Sequence, residues 1–377
     1  MKNRKITIIG CGLIGGSVAL ALRRRRPDLS VACLDLLEHL PAIREAEVAD
    51  EVGTLEELDA HVPASSFVLL ATPVQAILET LARIRPYLSA DAIVTDVGST
   101  KEQIMAGAQA LMPPGVHFIG GHPMAGSERS GVEAADPLLF SERAYLLCPY
   151  PDTPPDALLS LMDLVESLLA LPITIDPQEH DRIMATVSHL PQLIAVALMH
   201  AAHAEDATHT MLDTLAGRGF LDMTRLAASD FGMWRGVLDT NREAIRESLD
   251  RFSKSLAQLR EAISDGSAAL MWEQACSRRR KMDAGSRARL RKPDLRSVID
   301  RYDKQILSAL GHRMQAVRKI GELKMNQATP VSDPDRERRM ILQRQEWGTS
   351  LGLPPGLISD LFAVILKHST EIQAARR

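Results

Sequence analysis

Three shortages in this chain each remove a class of protein: few cysteines, little net charge and no long apolar run. Among its 377 residues only Cys11, Cys33, Cys148 and Cys276 are cysteines, scattered without the spacing of a metal cluster or a disulfide framework. They read as reduced core residues of a cytoplasmic protein, and no metal is expected. A net charge of −4 argues against a general nucleic-acid binder. No apolar run approaches the roughly 18 residues that span a bilayer, and the first residues pass into a strand without an apolar leader segment. A soluble cytoplasmic protein of two or three domains is expected, at about 100 to 200 residues per domain.

Against these absences stands one dense motif. The segment KITIIGCGLIGGSVAL places a β-rich run before Gly10, Gly12 and Gly15 and an apolar helical pattern after them. That is the order of a dinucleotide-binding turn. Gly10 permits the tight turn, Gly12 lets the backbone approach a pyrophosphate, and Gly15 lets helix and strand pack closely, with Leu13 and Ile14 opening the helix whose N-terminus attracts phosphate. A second β-rich run, Leu29 to Leu34, ends in Asp35, about twenty residues on, where a carboxylate can accept both ribose hydroxyls. Because Asp35 would repel a 2′-phosphate, NAD is expected rather than NADP. The arginines at 23–26 lie at the far end of the first helix and read as a solvated end.

Further β-rich runs at Phe67 to Ala71, Ala92 to Val97, Val116 to Ile119 and Ala144 to Leu147 alternate with helical patterns, which predicts a doubly wound parallel sheet of the Rossmann type over residues 1–155. From 156 to 284 the strand signal nearly vanishes, apart from Ile173 to Ile175, and a helical domain is expected. The basic stretch from Ser277 to Lys292 has little apolar periodicity, so a linker over 285–292 or an exposed helix end is expected. No aromatic residue is interleaved in it, which counts against nucleic-acid binding. Residues 293–377 read as a third, all-helical domain of three helices with breaks near Ala328 to Pro334 and Gly348 to Gly356.

In an open α/β sheet, ligands bind beyond the carboxyl ends of the strands. Three polar clusters fall there: Thr72-Pro73, the run DVGSTK from Asp96, and Gly120-Gly121-His122-Pro123. His122 is the strongest candidate for chemistry, since a neutral imidazole can take a hydroxyl proton as hydride leaves the same carbon.

The sequence GGHPMAGSERSG, with TDVGSTK before it and SHLPQ and DMTRLAASDFGMWR after it, resembles the prephenate and arogenate dehydrogenase family over residues 4 to 275. The resemblance implies NAD-dependent oxidation of the ring C4 alcohol of prephenate with loss of carbon dioxide. It assigns His122 to the C4 hydroxyl, Ser99 to orienting that imidazole, Glu128 to the pocket mouth and His189 to the pocket lining. Arg225 would clamp a carboxylate, and Asp222 would hold that arginine or another pocket group. Gln192 stands where some prephenate-specific members carry a second histidine, which leaves prephenate against arogenate open. The β-hydroxyacid dehydrogenases share this architecture but use a lysine in the corresponding helix, and His180 to Val196 contains none.

In the third domain, at about 100° per helical residue, Tyr302, Ile306, Arg313, Ile320 and Lys324 share one stripe. Cations on an apolar seam are costly unless paired, which points to an anionic ligand or a structural salt bridge. The pattern Arg296, Asp303, Arg313, Lys324, Asp333, Arg336, Glu337, Ser369 and Gln373 resembles the all-helical chorismate mutase family. By that resemblance Arg296, Arg313 and Arg336 bind the two carboxylates of chorismate, Lys324 and Gln373 donate to its ether oxygen, and Glu337 holds the ring hydroxyl. Asp333 and Ser369 would complete the pocket. Two chains intertwine in that family, so a homodimer is implied, with Arg296 reaching the partner's site. Together the resemblances imply a bifunctional enzyme of tyrosine biosynthesis. The alternatives are an arogenate or cyclohexadienyl dehydrogenase whose mutase-like domain is an inactive dimerisation or ligand-sensing module, and an NAD-binding regulator.

Overall fold

The structure is a computed structural model that describes residues 4–126, 129–206, 211–290, 334–350 and 353–374, with nine positions between 306 and 321. It divides into two compact units, residues 1–277 and 278–377. Eight strands form one sheet in the first unit: β1 Arg4–Ile9, β2 Leu29–Asp35, β3 Glu51–Thr54, β4 Phe67–Leu70, β5 Ile93–Asp96, β6 His117–Pro123, β7 Ala144–Cys148 and β8 Leu171–Thr174, in the order β3-β2-β1-β4-β5-β6-β7-β8. Runs such as Ile6, Ile8 and Ile9 are wholly buried. A central parallel strand is covered on both faces, so its sequence is continuously apolar rather than alternating.

Helices α1 Leu13–Arg25, α2 Leu40–Glu45, α3 Leu58–His61, α4 Val74–Ile84, α5 Glu102–Leu111 and α6 Pro155–Ser167 connect and cover the sheet. Val18 and Leu22 of α1 and Leu161 of α6 belong to one buried cluster. Ile77 and Leu81 of α4 with Ile104 and Met105 of α5 belong to the other.

The sheet departs from the expected parallel pattern at its end. β6 and β7 pair antiparallel, and β7 and β8 pair parallel again. The reason lies in the connections: parallel neighbours need a long crossover, usually a helix, and between β6 and β7 the described chain has only a short 3-10 turn, Val132–Ala134. The sheet also runs past the boundary expected at 155, because α6 packs on it and β8 adds a strand before the helical part begins.

The rest of the first unit comprises α7 Pro177–Met184, a π turn Ala185–His189, α8 Leu190–Asp206, α9 Leu212–Leu215, α10 Arg218–Thr224, a 3-10 turn Arg225–Ala228, α11 Phe231–Thr240 and α12 Arg242–Asp265. Asp176 caps α7 by accepting from the backbone N–H groups of Gln178 and Glu179. Helix α13, Ala268–Leu290, includes most of the basic stretch, so the linker expected over 285–292 is helical as far as Leu290. One continuous helical stretch among the described residues, Pro177–His203, is apolar and long enough to cross a membrane by length and composition alone. It carries the buried His180, Asp181, His189 and Gln192 and, on other faces, the exposed Val187, Val196 and Met199. Three of the four cysteines are buried, and Cys276 is exposed.

In the second unit the described helices are α14 Pro334–Ser350 and α15 Pro355–Ala374. Gly348 leaves room for Ile358, since a Cβ there would lie 2.5 Å from that side chain. Ile306 and Ile320, expected on an apolar seam, are 53% and 41% exposed in the single chain, while Val317 is buried.

Beneath the strand ends lies a fully buried ion pair, Lys101 Nζ with Asp96 Oδ2. The Asp96 carboxylate also accepts from Gly98 N at 2.8 Å and Gly121 N at 3.0 Å. Removing one partner of a buried pair leaves an uncompensated charge. Lys101→Met should therefore lower the free energy of unfolding by about 3–5 kcal/mol in chemical denaturation of the full chain, and a loss below about 1 kcal/mol would show that the pair is not structurally required.

Candidate functional site

The strand order reverses between β1 and β4, which places a crevice between the turn after β1 and the loop after β4. Gly10 has φ +92°, and a Cβ there would lie 2.6 Å from the Ala71 carbonyl oxygen, so only glycine fits. A Cβ on Gly15 would lie 2.0 Å from the Gly10 carbonyl oxygen, whereas one on Gly12 would meet nothing within 4 Å. Gly12 thus faces open space at the N-terminus of α1, where no side chain caps the helix. The Asp35 carboxylate is held beside the turn by Cys11 N at 2.6 Å, Leu36 N at 2.7 Å and His39 Nδ1 at 2.8 Å. Across the crevice, the buried hydroxyl of Thr72 lacks a hydrogen-bond partner among the described residues. Pro73 follows it and precedes α4. A backbone cradle open at Gly12, a fixed carboxylate and an unmet polar atom fit a dinucleotide with free ribose hydroxyls.

His122 lies at the carboxyl end of β6, beside the loop from Val97 to Lys101 that Asp96 organises. Its ring is partly buried, and Nδ1 lies 2.8 Å from His180 Nε2. His180 Nδ1 in turn lies 2.7 Å from Asp181 Oδ1. Burial holds the His122 pKa well below its ordinary 6.5, and His180, Lys101 and His189 oppose its positive form further. The imidazole is therefore neutral at physiological pH, the form a proton acceptor needs.

Asp181 also caps α5, accepting from Lys101 N at 2.7 Å and Glu102 N at 3.0 Å. Asn241 donates to the Asp181 carbonyl at 2.7 Å and lies 3.3 Å from His189 Nδ1. His189 is buried, its ring edge meets Trp234, and burial lowers its pKa to about 4. Thr100 and Thr240 join their hydroxyls at 2.8 Å. The sheet and the helical domain thus meet at the residues that surround His122.

Of the other expected residues, Ser99 is half-buried in the loop after β5, while the contact to the His122 ring nitrogen comes from His180. Gln192 is buried and donates to the Leu226 carbonyl at 2.8 Å, which fixes the 3-10 turn that carries Arg225. Asp222, expected to hold Arg225 or another pocket group, pairs across 3.9 Å with Arg218 one turn earlier, both largely exposed. Glu128 lies outside the described residues. In the second unit, Arg313 donates to the buried Ser369 hydroxyl at 2.7 Å, joining two expected ligand contacts that are 56 residues apart. Burial and then the nearby Arg344 cation lower the Arg313 pKa. Arg296, Lys324 and Asp333 lie outside the described residues, and Arg336, Glu337 and Gln373 are described as backbone in α14 and α15.

Sequence reasoning passed over His180 and Asp181. The available signal was the adjacent His-Asp pair in α7, one turn after its Asp176 cap.

Comparison with known proteins agrees with both halves of this arrangement. Family models match as the nucleotide-binding domain of prephenate dehydrogenase over residues 18–172, its dimerization domain over 176–274, and chorismate mutase type II over 295–374. The chain is 33% identical over 267 residues to a protein named prephenate dehydrogenase from Bacillus subtilis, covering 69% of this chain and 71% of that one. It is 36% identical over 75 residues to the protein named T-protein from Enterobacter agglomerans, 20% of each chain. The crystal structure of prephenate dehydrogenase from A. aeolicus with hydroxyphenyl propionate and NAD+ superimposes with a TM-score of 0.69 at 29% identity, covering 74% of this chain and 98% of that one.

The contrast between two glycines gives a test of the cofactor cradle. Gly12→Ala should fold normally yet weaken NAD binding by about tenfold or more in titration calorimetry, because the backbone can no longer approach the pyrophosphate. Gly15→Ala should instead lower the melting temperature, since its Cβ would overlap the Gly10 carbonyl. Unchanged NAD affinity in Gly12→Ala would place the pyrophosphate elsewhere.

Proposed function

The chain belongs to the prephenate dehydrogenase family and carries a type II chorismate mutase domain, and from this we propose that one polypeptide converts chorismate to prephenate and oxidises prephenate with NAD to 4-hydroxyphenylpyruvate. The observation that carries the dehydrogenase half is a neutral, partly buried His122 at the same carboxyl edge of the sheet as an open glycine cradle. Bound NAD supplies the hydride acceptor. The Gly10, Gly12 and Gly15 turn, with Leu13 and Ile14 opening α1, would hold its pyrophosphate. Asp35 would hold the adenosine ribose, and Thr72 and Pro73 would border the nicotinamide side.

His122 takes the proton of the C4 hydroxyl as hydride leaves C4. The bond from the ring to its carboxylate then breaks, carbon dioxide leaves, and the electron pair enters the ring, which becomes aromatic with its oxygen as phenolate. The proton held on His122 returns to that oxygen, so the overall reaction releases none. Ser99 and His189 would border the ring, and the family resemblance gives Glu128 the role of a polar group at the pocket mouth. Arg225 binds a substrate carboxylate through its planar fork of donors, on a turn that Gln192 holds. Asp222 lies on the helix leading into that turn and acts on the arginines there.

The mutase half rests on Arg313 meeting Ser369. A pericyclic rearrangement needs no nucleophile, only a pocket that holds the reactive conformer and stabilises charge developing on the ether oxygen. Arg296, Arg313 and Arg336 would bind carboxylates, Lys324 and Gln373 would donate to the ether oxygen, Glu337 would hold the hydroxyl, and Asp333 would complete the pocket.

The working unit is a homodimer. Val196, Met199, Leu221, Met223, Phe231 and Met233 are 40% to 63% exposed in the single chain, an apolar surface suited to a second copy. The protein works in the cytoplasm with small-molecule substrates, without nucleic acid or membrane.

The deciding experiment follows chorismate loss and NADH gain in purified full-length protein. His122→Asn should abolish most NADH formation, lowering turnover by roughly two to four orders of magnitude, while chorismate loss continues. Arg313→Ala should do the reverse, stopping chorismate loss but leaving prephenate oxidation intact. NADH from prephenate but none from chorismate would reduce the third domain to a structural module.

The pH profile gives an independent check. A base acts only when neutral, so activity is present above its pKa and is lost as pH falls through it. With the His122 pKa depressed, the acid limb of kcat/KM for prephenate should lie below 6.5. A limb at or above that value would contradict the assignment.

A further inference from the structure

His180 is wholly buried, and no step of the reaction above uses it. Its hydrogen-bond roles follow from its neighbours. The backbone N–H groups of Lys101 and Glu102 can only donate, so Asp181 Oδ1, at 2.7 Å from the first, and Oδ2, at 3.0 Å from the second, are acceptors. Oδ1 also faces His180 Nδ1 at 2.7 Å, so that nitrogen carries the hydrogen. A neutral imidazole has a single N–H, which leaves His180 Nε2 with a lone pair. This lone pair faces His122 Nδ1 at 2.8 Å, so His122 carries its hydrogen on Nδ1 and keeps Nε2 bare. Two main-chain N–H groups at the start of α5 thus determine which nitrogen of His122 can act as a base.

We propose that His180, held by Asp181, is a positioning residue for the dehydrogenase that fixes the reactive tautomer of His122 and stores its proton during the reaction. The proposal rests on the reading of His122 as the base. When His122 Nε2 takes the hydroxyl proton, the Nδ1 hydrogen passes to His180 Nε2. His122 is then neutral with its hydrogen on Nε2, and His180 is a cation against the Asp181 carboxylate. After carbon dioxide leaves, His122 Nε2 gives its hydrogen to the phenolate oxygen and recovers the Nδ1 hydrogen from His180. No proton is gained or lost, in keeping with the overall reaction. The site suits storage better than release to water, since the His180 and Asp181 side chains are 0% and 2% exposed. The other charged or titratable groups facing this pair are Lys101, which is neutralised by Asp96, and His189, which is held by Asn241.

The test uses the full-length chain with His180→Phe and His180→Gln. Phenylalanine fills the space without a lone pair, while the glutamine carbonyl can still accept from His122 Nδ1. His180→Phe should lower kcat for prephenate oxidation by about tenfold to a hundredfold. The KM for prephenate, NAD binding and mutase turnover should stay near wild type; His180→Gln should restore the His122 tautomer but only part of the lost kcat, since an amide carbonyl can accept from Nδ1 yet cannot take its proton. Nitrogen-15 NMR of the His122 ring should show hydrogen on Nδ1 in the wild type and a mixture of tautomers in His180→Phe.

A kcat for His180→Phe within about twofold of wild type would overturn the proposal, as would equal losses in both variants with an unchanged His122 tautomer. Hydrogen on Nε2 of resting wild-type His122 would overturn it without any variant. Should His122→Asn keep its turnover, the underlying reading fails; should His122→Asn be inactive while His180→Phe is active, only the role of His180 fails.

Discussion

The site depends on one buried carboxylate. Asp96 ends β5 with no exposure to solvent, and an unpaired charge there would cost several kcal/mol. Lys101 supplies the countercharge, and Gly98 and Gly121 supply two main-chain donors, so the price of burying the ion is met by bonds that fold the loop after β5 onto one side chain and draw the end of β6 to it. A Cβ on Gly98 would lie 2.8 Å from Asp96 Oδ2, and one on Gly121 would lie 2.4 Å from the Asp96 carbonyl oxygen. The glycines of TDVGSTK and GGHP are therefore needed for close approach, and His122 inherits its position from them.

The same segment couples the sheet to the helices. Lys101 and Glu102 begin α5, where a helix leaves N–H groups without partners. Those groups are satisfied by Asp181, about eighty residues later, on the helix that also carries His180 and His189. A π turn at Ala185–His189 separates the two histidines, and Asn241 ties the carbonyl of Asp181 to His189. The cap of one domain's helix is thus the anchor of the other domain's histidines, and His122 meets buried groups of both.

How much of this could be read in the sequence follows from where the information is stored. The glycine turn, Asp35 and the strands from Phe67 to Leu147 were legible because backbone approach and burial on both faces constrain local residue types. The antiparallel β7 was not, because direction is decided by the length and content of a connection rather than by the strand. β8 was visible as Ile173 to Ile175, yet its membership of the sheet depends on the packing of α6. His180 was hidden for a different reason: in PQEHDRIM it sits among polar residues that look like a solvated first turn, and only the docking of α7 against α5 buries it. The basic stretch read as a linker or an exposed helix end because it lacks an apolar face, and it is a helix as far as Leu290, since Ala, Arg and Leu support helix by intrinsic preference alone.

The two sites differ in ways that their reactions demand. Oxidative decarboxylation of prephenate takes a proton from the alcohol and returns it to the phenol, and the groups around His122 are ones that can change protonation: His122 and His189 are held neutral by burial, beside a carboxylate fixed by main-chain donors. A pericyclic rearrangement moves no proton, and groups that titrate would only make its field depend on pH. The second unit accordingly places Arg313 against Ser369 with Arg344 close enough to oppose its charge. A guanidinium keeps its charge even when that environment lowers its pKa, because it starts so far above neutrality.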